Sequence, residues 1–354
     1  MDFRQREPKI SAVIRGKAPA SSMSYHEDGG FLFVSSEDSR MRIIDCQRGT
    51  EKPALRFERD GIKIVQATHH NQSILFSGGG KDKTQNVGQR HALNYLSLHD
   101  NKILRQFRGH SGEILDISMS PVDDTFLTSS ADGGVRLWNL QQAGSLASMD
   151  LPRSGSSGVT IDPNGSPNAA FDCTGLVFGI SAPLDANAGH LIHLYDARNY
   201  SSGAFAEMKL DRASVVNSIS TKLSRPDMNV STELANARWT SMRFNKSGKQ
   251  ILVTTDKGIV LMIDGYDGKL THSFLSSSAS NGATETQPSS ACFSSDDKTV
   301  LCGNEDGSIS CYDSTTGELV RVLKGHVGNV GCIATNPKYQ QFASSCTNTA
   351  LWLW

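Results

Sequence analysis

The sequence predicts an all-β fold made of one repeated four-stranded sheet, and three observations support this. Short apolar and β-branched runs of strand type recur along the chain, among them FLFVSS, TFLTSS, QILVTT and TVLCGN. A second run follows each of them after a tight polar turn that often holds an Asp, as in SADGG and NEDGS, which is the pattern of a β-hairpin. The unit returns every ~40–45 residues, the length of a propeller blade. About seven such units fill a single predicted domain over residues 1–354.

Each unit reads as a first strand, a polar turn, a second strand, an Asp turn, a third strand and a fourth strand. The last unit stops at Trp354 with its third strand, and the segment KISAVIRG, residues 9–16, precedes the first full unit. We expect this segment to pair with the last blade and close the ring, because the pairing removes two open sheet edges. Three segments interrupt the period and are predicted to be surface loops, the last two of them mobile: residues 78–92, 211–237 and 275–290.

Composition excludes several classes of protein. The 354 residues suffice for a large core without staples, and the net charge of −1 argues against a broad nucleic-acid surface. No apolar run approaches the ~20 residues of a membrane helix, and the N-terminus has no apolar region of a secretory signal. The seven Cys form no Cys-x-x-Cys pair and sit mostly in apolar runs. We therefore expect buried thiols, a reducing compartment such as the cytosol or nucleus, and no metal or other cofactor.

Two dipeptide signals add a family resemblance to the repeat. Gly-His stands just before two units, and a degenerate Trp-Asp ends several third strands. On these features the whole chain resembles the WD-repeat family. The resemblance implies a seven-bladed β-propeller closed by the N-terminal strand. The dipeptides are Gly109-His110, Gly325-His326, Trp138-Asn139, Tyr195-Asp196, Tyr312-Asp313, Ile44-Asp45 and Ile263-Asp264.

The stretch from Arg108 to Asn139 combines His, Ser, Thr, Asp and Trp and has two readings. A nucleophilic triad would need its nucleophile exposed in a cleft beside an oxyanion hole, and nothing in the stretch supplies one. In WD repeats these residue types form a buried chain of hydrogen bonds, and the resemblance implies that role here. The implied members are His110, Thr128, Asp132 and Trp138 in this unit, and His326, Ser344, Asn348 and Trp354 in the last unit.

Other candidate sites are weaker. The stretch SGGGKDKT lacks the spacing of a phosphate loop, because Lys81 and Thr84 are not adjacent and no helix pattern follows. His69 and His70 have no third ligand at metal spacing, so we predict a solvated strand end there. A propeller enzyme would gather His, Asp or Glu in its central channel, and the sequence shows no such cluster. We predict no catalytic residues.

Four stretches carry a narrower resemblance than the blade pattern requires. They resemble one branch of the WD-repeat family, the subunit shared by COMPASS-type histone methyltransferase complexes and by the phosphatase and cleavage-polyadenylation assemblies of RNA polymerase II. The resemblance is weaker in the first two units and absent from the long insertions. The stretches are residues 95–130, DARNYSSGAFAEMKL from Asp196, WTSMRFNKSGKQILVTT from Trp239 and NPKYQQFASSC from Asn336.

This branch resemblance implies a non-catalytic nuclear adaptor. Its implied partners are a histone methyltransferase subunit, a phosphatase scaffold and the RNA polymerase II tail, and its implied roles are chromatin marking, transcription termination and mRNA 3′-end processing. We expect no contact with a membrane or directly with nucleic acid. The alternative is a generic WD-repeat scaffold in a cytoplasmic or ubiquitin-ligase complex.

Partners are predicted to dock on the face that carries the inter-blade loops and the Asp turns. Trp239, beside Arg238, has two readings, core packing or a partly exposed anchor, and Trp and Arg are enriched in interface hot spots. We predict a binding contribution of ~2 kcal/mol or more for Trp239 if the second reading holds. The other predicted docking residues are Arg108, Ser111, Glu113, Val327, Asn329, Glu37, Lys81, Lys83 and Glu305.

Overall fold

Seven four-stranded antiparallel sheets follow one another along the chain, which confirms the predicted seven-bladed propeller. The computed structural model describes residues 7–58, 61–78, 91–149, 161–162, 165–185, 188–222, 237–275 and 290–354. The first strands of neighbouring blades contact one another around most of the ring, and the first strand of the last blade contacts that of the first blade. The ring is therefore closed.

The first four blades each take their strands in chain order from the central channel outward. Blade 1 holds β2 (Ala20–Tyr25), β3 (Phe31–Ser36), β4 (Arg40–Asp45) and β5 (Thr50–Arg56). Blade 2 holds β6 (Ile64–Ala67), β7 (Ser73–Ser77), β8 (Leu93–Ser97) and β9 (Ile103–Phe107). Blade 3 holds β10 (Ile114–Met119), β11 (Thr125–Ser130), β12 (Val135–Asn139) and β13 (Ala147–Met149). Blade 4 holds β14 (Asn168–Phe171), β15 (Val177–Pro183), β16 (Gly189–Asp196) and β17 (Ala206–Asp211).

The last three blades include the one that joins the two ends of the propeller. Blade 5 holds β18 (Trp239–Phe244), β19 (Gln250–Thr255), β20 (Ile259–Asp264) and β21 (Leu270–Leu275). Blade 6 holds β22 (Ala291–Phe293), β23 (Thr299–Gly303), β24 (Ser308–Asp313) and β25 (Leu319–Lys324). Blade 7 holds β26 (Cys332–Thr335), β27 (Gln341–Ser345) and β28 (Thr349–Leu353), with β1 (Lys9–Ile14) as its fourth strand.

The predicted closure by the N-terminal segment is confirmed. Strand β1 runs antiparallel to β28, with Lys9 opposite Leu353 and Ile14 opposite Thr349. The hydroxyl of Ser11 also donates to the carbonyl of Leu351 at 3.1 Å. This pairing covers the edge of β28, which an open propeller would present to solvent.

Apolar side chains between adjacent blades form the core. Between blades 2 and 3, the rings of Phe107, Phe126 and Trp138 are all fully buried. The Phe107 centroid lies 5.0 Å from that of Phe126 and 5.6 Å from that of Trp138, both edge to face. Each such buried aromatic contributes about 1.5–3 kcal/mol relative to an exposed one. The inter-blade packing therefore fixes the positions of the loops at either end of the strands.

The insertion at residues 211–237 is not wholly a surface loop. Its first part folds into a helix, α1 (Arg212–Lys222), and a 3₁₀ turn (Tyr200–Ser202) lies in blade 4. Val215 and Ile219 of α1 are buried in the cluster between blades 4 and 5. The rest of this insertion and nearly all of the other two, at 78–92 and 275–290, lie outside the described residues. No helix in the described part of the chain is long and apolar enough to cross a membrane.

The strand order gives the propeller two different faces. We call the face with the connections between blades and the second-to-third-strand hairpins the loop face. The opposite side carries the first-to-second-strand turns and the third-to-fourth-strand turns, and we call it the turn face. Contacts between neighbouring blades agree with this division. Lys63 and Glu113 meet on the loop face, and His69 meets Glu27 on the turn face.

Candidate protein-docking faces

The four implied residues of blade 3 form one continuous chain of hydrogen bonds. The indole N–H of Trp138 donates to Thr128 Oγ1 at 2.8 Å, and Thr128 Oγ1 lies 2.8 Å from His110 Nε2. His110 Nδ1 in turn lies 3.0 Å from Asp132 Oδ2. The same carboxylate oxygen accepts the backbone N–H of Ser111 at 2.8 Å. The chain runs from the core to the loop face and ties the Gly-His connection to the Asp turn.

Burial and polar contacts shift the pKa values of His110 and Asp132 in opposite directions. Burial lowers the pKa of His110, and the Asp132 carboxylate only partly opposes it. Burial would raise the pKa of Asp132, but the N–H groups of Gly134 and Ser111, together with His110, hold it below its usual value. The Thr128 side chain is buried within the sheet stack. The arrangement supplies satisfied polar groups inside a blade and no accessible nucleophile.

The predicted chain of the last blade is corrected at its tryptophan. The indole that donates to Ser344 Oγ, at 2.8 Å, belongs to Trp352. Trp354 lies beyond β28, and its ring packs on Phe342 at 5.3 Å. Ser344 Oγ lies 2.6 Å from His326 Nε2, so the inner links match those of blade 3.

The acceptor at the end of the last blade's chain is also corrected. His326 Nδ1 lies 3.2 Å from Sγ of Cys346, whereas Asn348 Oδ1 accepts the backbone N–H of Gly16 at 3.1 Å. The reason is hairpin length. The indole follows its hydroxyl partner by 8 residues in blade 7 and by 10 in blade 3, so the blade 7 hairpin is 2 residues shorter (10 − 8). The shorter turn brings the Cys346 thiol to the place that a carboxylate occupies in blade 3.

Several predicted docking residues lie on the loop face and are polar. Lys63 Nζ forms an ion pair with Glu113 Oε1 at 2.7 Å, and Arg108 donates to the side chain of Gln106 at 2.7 Å. Arg108, Ser111, Arg238, Glu37 and Val327 are exposed, and Glu113, Glu305 and Asn329 are half-buried. Burial raises the pKa of Glu305. Lys81 and Lys83 lie outside the described residues.

Trp239 belongs to the core, so its reading as an exposed anchor is wrong. Its side chain is 8% exposed and stacks on the His190 ring, with 3.9 Å between the ring centroids. Helix α1 contributes Val215 and Ile219 to the same cluster. Burial lowers the pKa of His190 to about 3, so the stacked imidazole is neutral. The sequence could not show this packing, because the covering helix lies in an insertion without clear apolar periodicity.

The central channel holds a cavity of about 890 Å³ that an ion pair between two blades crosses. Asp116 of blade 3 and Arg243 of blade 5 form a two-bond salt bridge at 2.5 and 2.7 Å. Burial would lower the pKa of Arg243, but Asp116 raises it above its usual value. Among the described lining residues there is no histidine, and Asp256 and Asp297 accept backbone N–H groups. The described lining of the channel is more apolar than polar, and its positive and negative side chains are equal in number.

Sequence reasoning missed two features of the turn face. Val122 is 64% exposed and Leu176 is 44% exposed, and both line a cavity of about 210 Å³ between blades 3 and 4, together with Arg198 and Tyr200. Exposed Phe205, Tyr266 and Tyr339 lie on the same face. His69 is no solvated strand end, because its Nδ1 lies 2.6 Å from Glu27 Oε2 and its Nε2 faces two carbonyl oxygens of blade 3. It links three blades through side-chain and backbone acceptors.

Comparison with known proteins places this architecture in a family. Residues 9–45, 101–139, 271–313 and 317–354 match the family model described as WD domain, G-beta repeat. WD repeat-containing protein 82 of Drosophila melanogaster is 31% identical over 352 residues, which cover 99% of this chain and 92% of that relative. The chain belongs to the WD-repeat family.

Two further WD-repeat relatives carry names that describe a complex. COMPASS component SWD2 of Saccharomyces cerevisiae is 26% identical over 337 residues, covering 92% of this chain and 88% of its own. Set1 complex component swd2 of Schizosaccharomyces pombe is 26% identical over 298 residues, covering 82% of this chain and 70% of its own.

The stretches that carried the branch resemblance share a location in this WD-repeat propeller. LSLHDNK, residues 96–102, forms a turn of blade 2, and SMSPVDDTF, residues 118–126, spans a turn of blade 3. The stretches from Asp196 and Asn336 also include turns, in blades 4 and 7. All of these turns lie on the turn face. The two stretches that the blade pattern does not require, residues 96–102 and 118–126, therefore lie on the face with the exposed aromatic side chains.

Proposed function

We propose that this chain is a non-catalytic adaptor subunit of a nuclear Set1/COMPASS-type histone methyltransferase complex. What carries the proposal is the similarity to two components of such complexes, because it extends over most of both chains. The propeller supplies two broad faces of loops and turns fixed by a rigid inter-blade core, which suits protein docking. A methyltransferase subunit is the first partner we expect.

The branch resemblance supports a wider role within the same proposal. The subunit would also join a phosphatase scaffold, contact the RNA polymerase II tail and serve transcription termination and mRNA 3′-end processing. Residues 96–102 and 118–126 carry this part of the proposal, because neither stretch is required to build a blade. A cytoplasmic or ubiquitin-ligase scaffold is the competing role.

Partner docking is proposed on both faces, with the apolar anchor on the turn face. Val122, Leu176, Arg198 and Tyr200 surround a cavity there, and aromatic and Arg side chains at well-packed centres dominate many interfaces. The loop face offers polar and charged groups such as Arg108, which we expect to contribute to partner choice and association rate.

Affinity purification tests the proposed assembly. The chain, tagged and expressed in its native cell, would be captured at moderate salt and its partners identified by mass spectrometry. We expect a SET-domain methyltransferase and its companion subunits, together with phosphatase-scaffold and polymerase subunits if the wider role holds. Recovery of ubiquitin-ligase or vesicle-coat subunits with no chromatin proteins would contradict the proposal, as would a chain confined to the cytoplasm under fluorescence.

A pair of variants tests the two faces. Leu176→Asp places a charge beside the turn-face cavity, and Val327→Asp is the matched change at a fully exposed apolar residue of the loop face. We expect Leu176→Asp to weaken capture of the methyltransferase by ~2 kcal/mol or more, about thirtyfold, and Val327→Asp to leave it nearly unchanged. Arg108→Glu should slow association. Loss of capture with Val327→Asp alone would move the anchor to the loop face.

A further inference from the structure

The last blade places a thiol where blade 3 has a carboxylate. In blade 3 the imidazole Nδ1 faces Asp132, and in blade 7 the Nδ1 of His326 faces Sγ of Cys346 at 3.2 Å. The backbone N–H of Asn348 also donates to this sulfur, at 3.4 Å. The surroundings of Cys346 therefore repeat the pattern that binds an anionic acceptor elsewhere in the same chain.

In the chain of hydrogen bonds from Trp352 to Cys346, the first donor determines which group donates in each later bond. The Trp352 indole N–H can only donate, and it donates to Ser344 Oγ. The Ser344 hydroxyl proton is then free to donate to His326 Nε2, 2.6 Å away. Burial lowers the pKa of His326, so its imidazole is neutral and carries its one proton on Nδ1. That N–H group donates to the sulfur, and the S–H group of Cys346 donates to the carbonyl oxygen of Asn348 at 3.8 Å.

A buried and largely unpaired guanidinium adds positive charge nearby. Arg42 is 4% exposed, and its Nε and Nη1 find no hydrogen-bond partner among the described residues. Burial lowers the pKa of Arg42, and Glu51, Asp38 and Cys346 partly oppose this through space. Gly16 lies between the guanidinium and the turn of Cys346. A Cβ added to Gly16 would lie 3.0 Å from Arg42 Nη1 and 1.9 Å from the carbonyl oxygen of Thr347, the residue after Cys346. The guanidinium is therefore close to the turn that holds the thiol. A cation near a cysteine stabilises the negative charge that the sulfur carries when it reacts as a nucleophile.

A cavity gives small molecules access to the sulfur. It measures about 300 Å³, and Cys346 forms part of its wall together with His326 and the exposed side chain of Val327. Gly328 also lines it, and a Cβ added there would meet no atom within 4 Å. This space admits a molecule of a few heavy atoms.

The other described cysteines have surroundings that suppress reaction. Burial raises the pKa of Cys292, Cys311 and Cys332 to about 12, and that of Cys302 well above its usual value. Burial and nearby carboxylates raise the pKa of Cys46 to about 12. Cys173 is exposed, yet burial of its sulfur and the carboxylates of Asp172 and Asp297 raise its pKa as well.

We propose that Cys346 is a site of oxidation by small hydroperoxides. The Cys346 thiol gives its proton to solvent, and its sulfur then attacks one oxygen of hydrogen peroxide and forms an S–O bond while the O–O bond breaks. The hydroxide that leaves takes up the proton that the thiol released, which gives water. The sulfur loses two electrons, the peroxide gains them, and the product is a sulfenic acid that a thiol can reduce again. The His326 N–H donates to the sulfur, and the Arg42 guanidinium adds positive charge near its turn during the attack.

Site-by-site labelling of the full folded chain tests this proposal. The chain is treated with hydrogen peroxide below one equivalent in the presence of a dimedone-type probe for sulfenic acid, and each cysteine peptide is quantified by mass spectrometry. We expect Cys346 to be labelled about threefold or more faster than Cys173, although Cys173 is the more exposed thiol. Equal or faster labelling of Cys173, or no label on Cys346, would overturn the proposal.

Two variants separate the role of the surroundings from exposure. Arg42→Met keeps the length of the side chain and removes its charge, and we expect labelling of Cys346 to slow severalfold while labelling of Cys173 stays constant. Cys173→Ser is the matched control and should leave the Cys346 rate unchanged. The melting temperature of each variant is measured alongside. A folded Arg42→Met chain with an unchanged Cys346 rate would exclude the guanidinium from the proposal, and a change at both cysteines would refute a local effect.

Discussion

Replacing Thr128 by Val removes one hydroxyl from the centre of the blade 3 chain and keeps the shape of the side chain. That hydroxyl accepts from the Trp138 indole and lies 2.8 Å from His110 Nε2, and all three side chains are buried. The substitution therefore leaves one buried donor and one buried acceptor without partners. Neither can reach water without opening the blade.

The expected loss follows from those two groups. Each unsatisfied buried group costs about 1–3 kcal/mol, and the extra methyl group returns about 0.8 kcal/mol of apolar burial. We therefore expect Thr128→Val to lower the free energy of unfolding by about 1–5 kcal/mol. This is a large part of the ~5–15 kcal/mol that stabilises a typical protein, so the change should be easy to measure.

The neighbouring residue supplies the control. Ser129 is also buried on β11, but its hydroxyl finds no partner among the described residues, so Ser129→Ala removes no hydrogen bond that the structure shows. Urea unfolding followed by tryptophan fluorescence and by circular dichroism would compare the two variants with the parent chain. We expect Ser129→Ala to stay within about 0.5 kcal/mol of the parent or to exceed it. If Thr128→Val matches Ser129→Ala, the chain of hydrogen bonds does not stabilise the blade.

Three further predictions concern the blade junctions and the ring closure. Burial would lower the pKa of His69, but Glu27 and two backbone carbonyls raise it above 6.5. The stability that His69 adds over a His69→Asn variant should therefore be full below about pH 6.5 and should fall as the pH rises through the raised pKa. Urea unfolding at several pH values would measure this difference, and a gain in stability with rising pH would contradict the prediction. Arg243→Met should lower the free energy of unfolding by about 1–3 kcal/mol, because it leaves the nearly buried Asp116 carboxylate without its partner. Adding Asp116→Leu should recover part of this loss, and a strictly additive double mutant would refute the coupling. Deleting residues 1–16 should uncover β28 and cause aggregation or loss of cooperative unfolding, whereas an equally stable monomer by light scattering would show that β1 is dispensable.

The blade architecture was predictable because every unit repeats the same sequence pattern. The strand alternation, the Asp turns and the ~40–45-residue period agree along the chain, so an irregular unit does not change the result. The pairing of β1 with β28 followed from the need to cover an edge. Helix α1 was not predictable in the same way. Its segment, RASVVNSISTK, is polar overall, and Val215 and Ile219 gain their role only from the blades they contact.

Site residues were predictable only where local spacing and three-dimensional position agree. In blade 3 the hairpin has the length that the family pattern assumes, and His110, Thr128, Asp132 and Trp138 meet as the resemblance implied. In blade 7 the hairpin is shorter, so counting along the sequence reached the wrong indole and the wrong acceptor.

The turn face illustrates a different limit of sequence reasoning. Val122 and Leu176 are more than 50 residues apart in the sequence, and each alone is one exposed apolar residue in a turn, which has no meaning by itself. The ring brings the two turns together: a Cβ at Gly175, the residue before Leu176, would lie 2.6 Å from Val122 Cγ2. Gly175 adopts a φ of +68°, a conformation that glycine tolerates and a β-branched residue does not. Glycine at this position therefore permits the close approach of two blades, and the exposed apolar pair beside it forms one surface only in the closed propeller. A docking partner that recognises this pair would bind the assembled ring and not the separate blades.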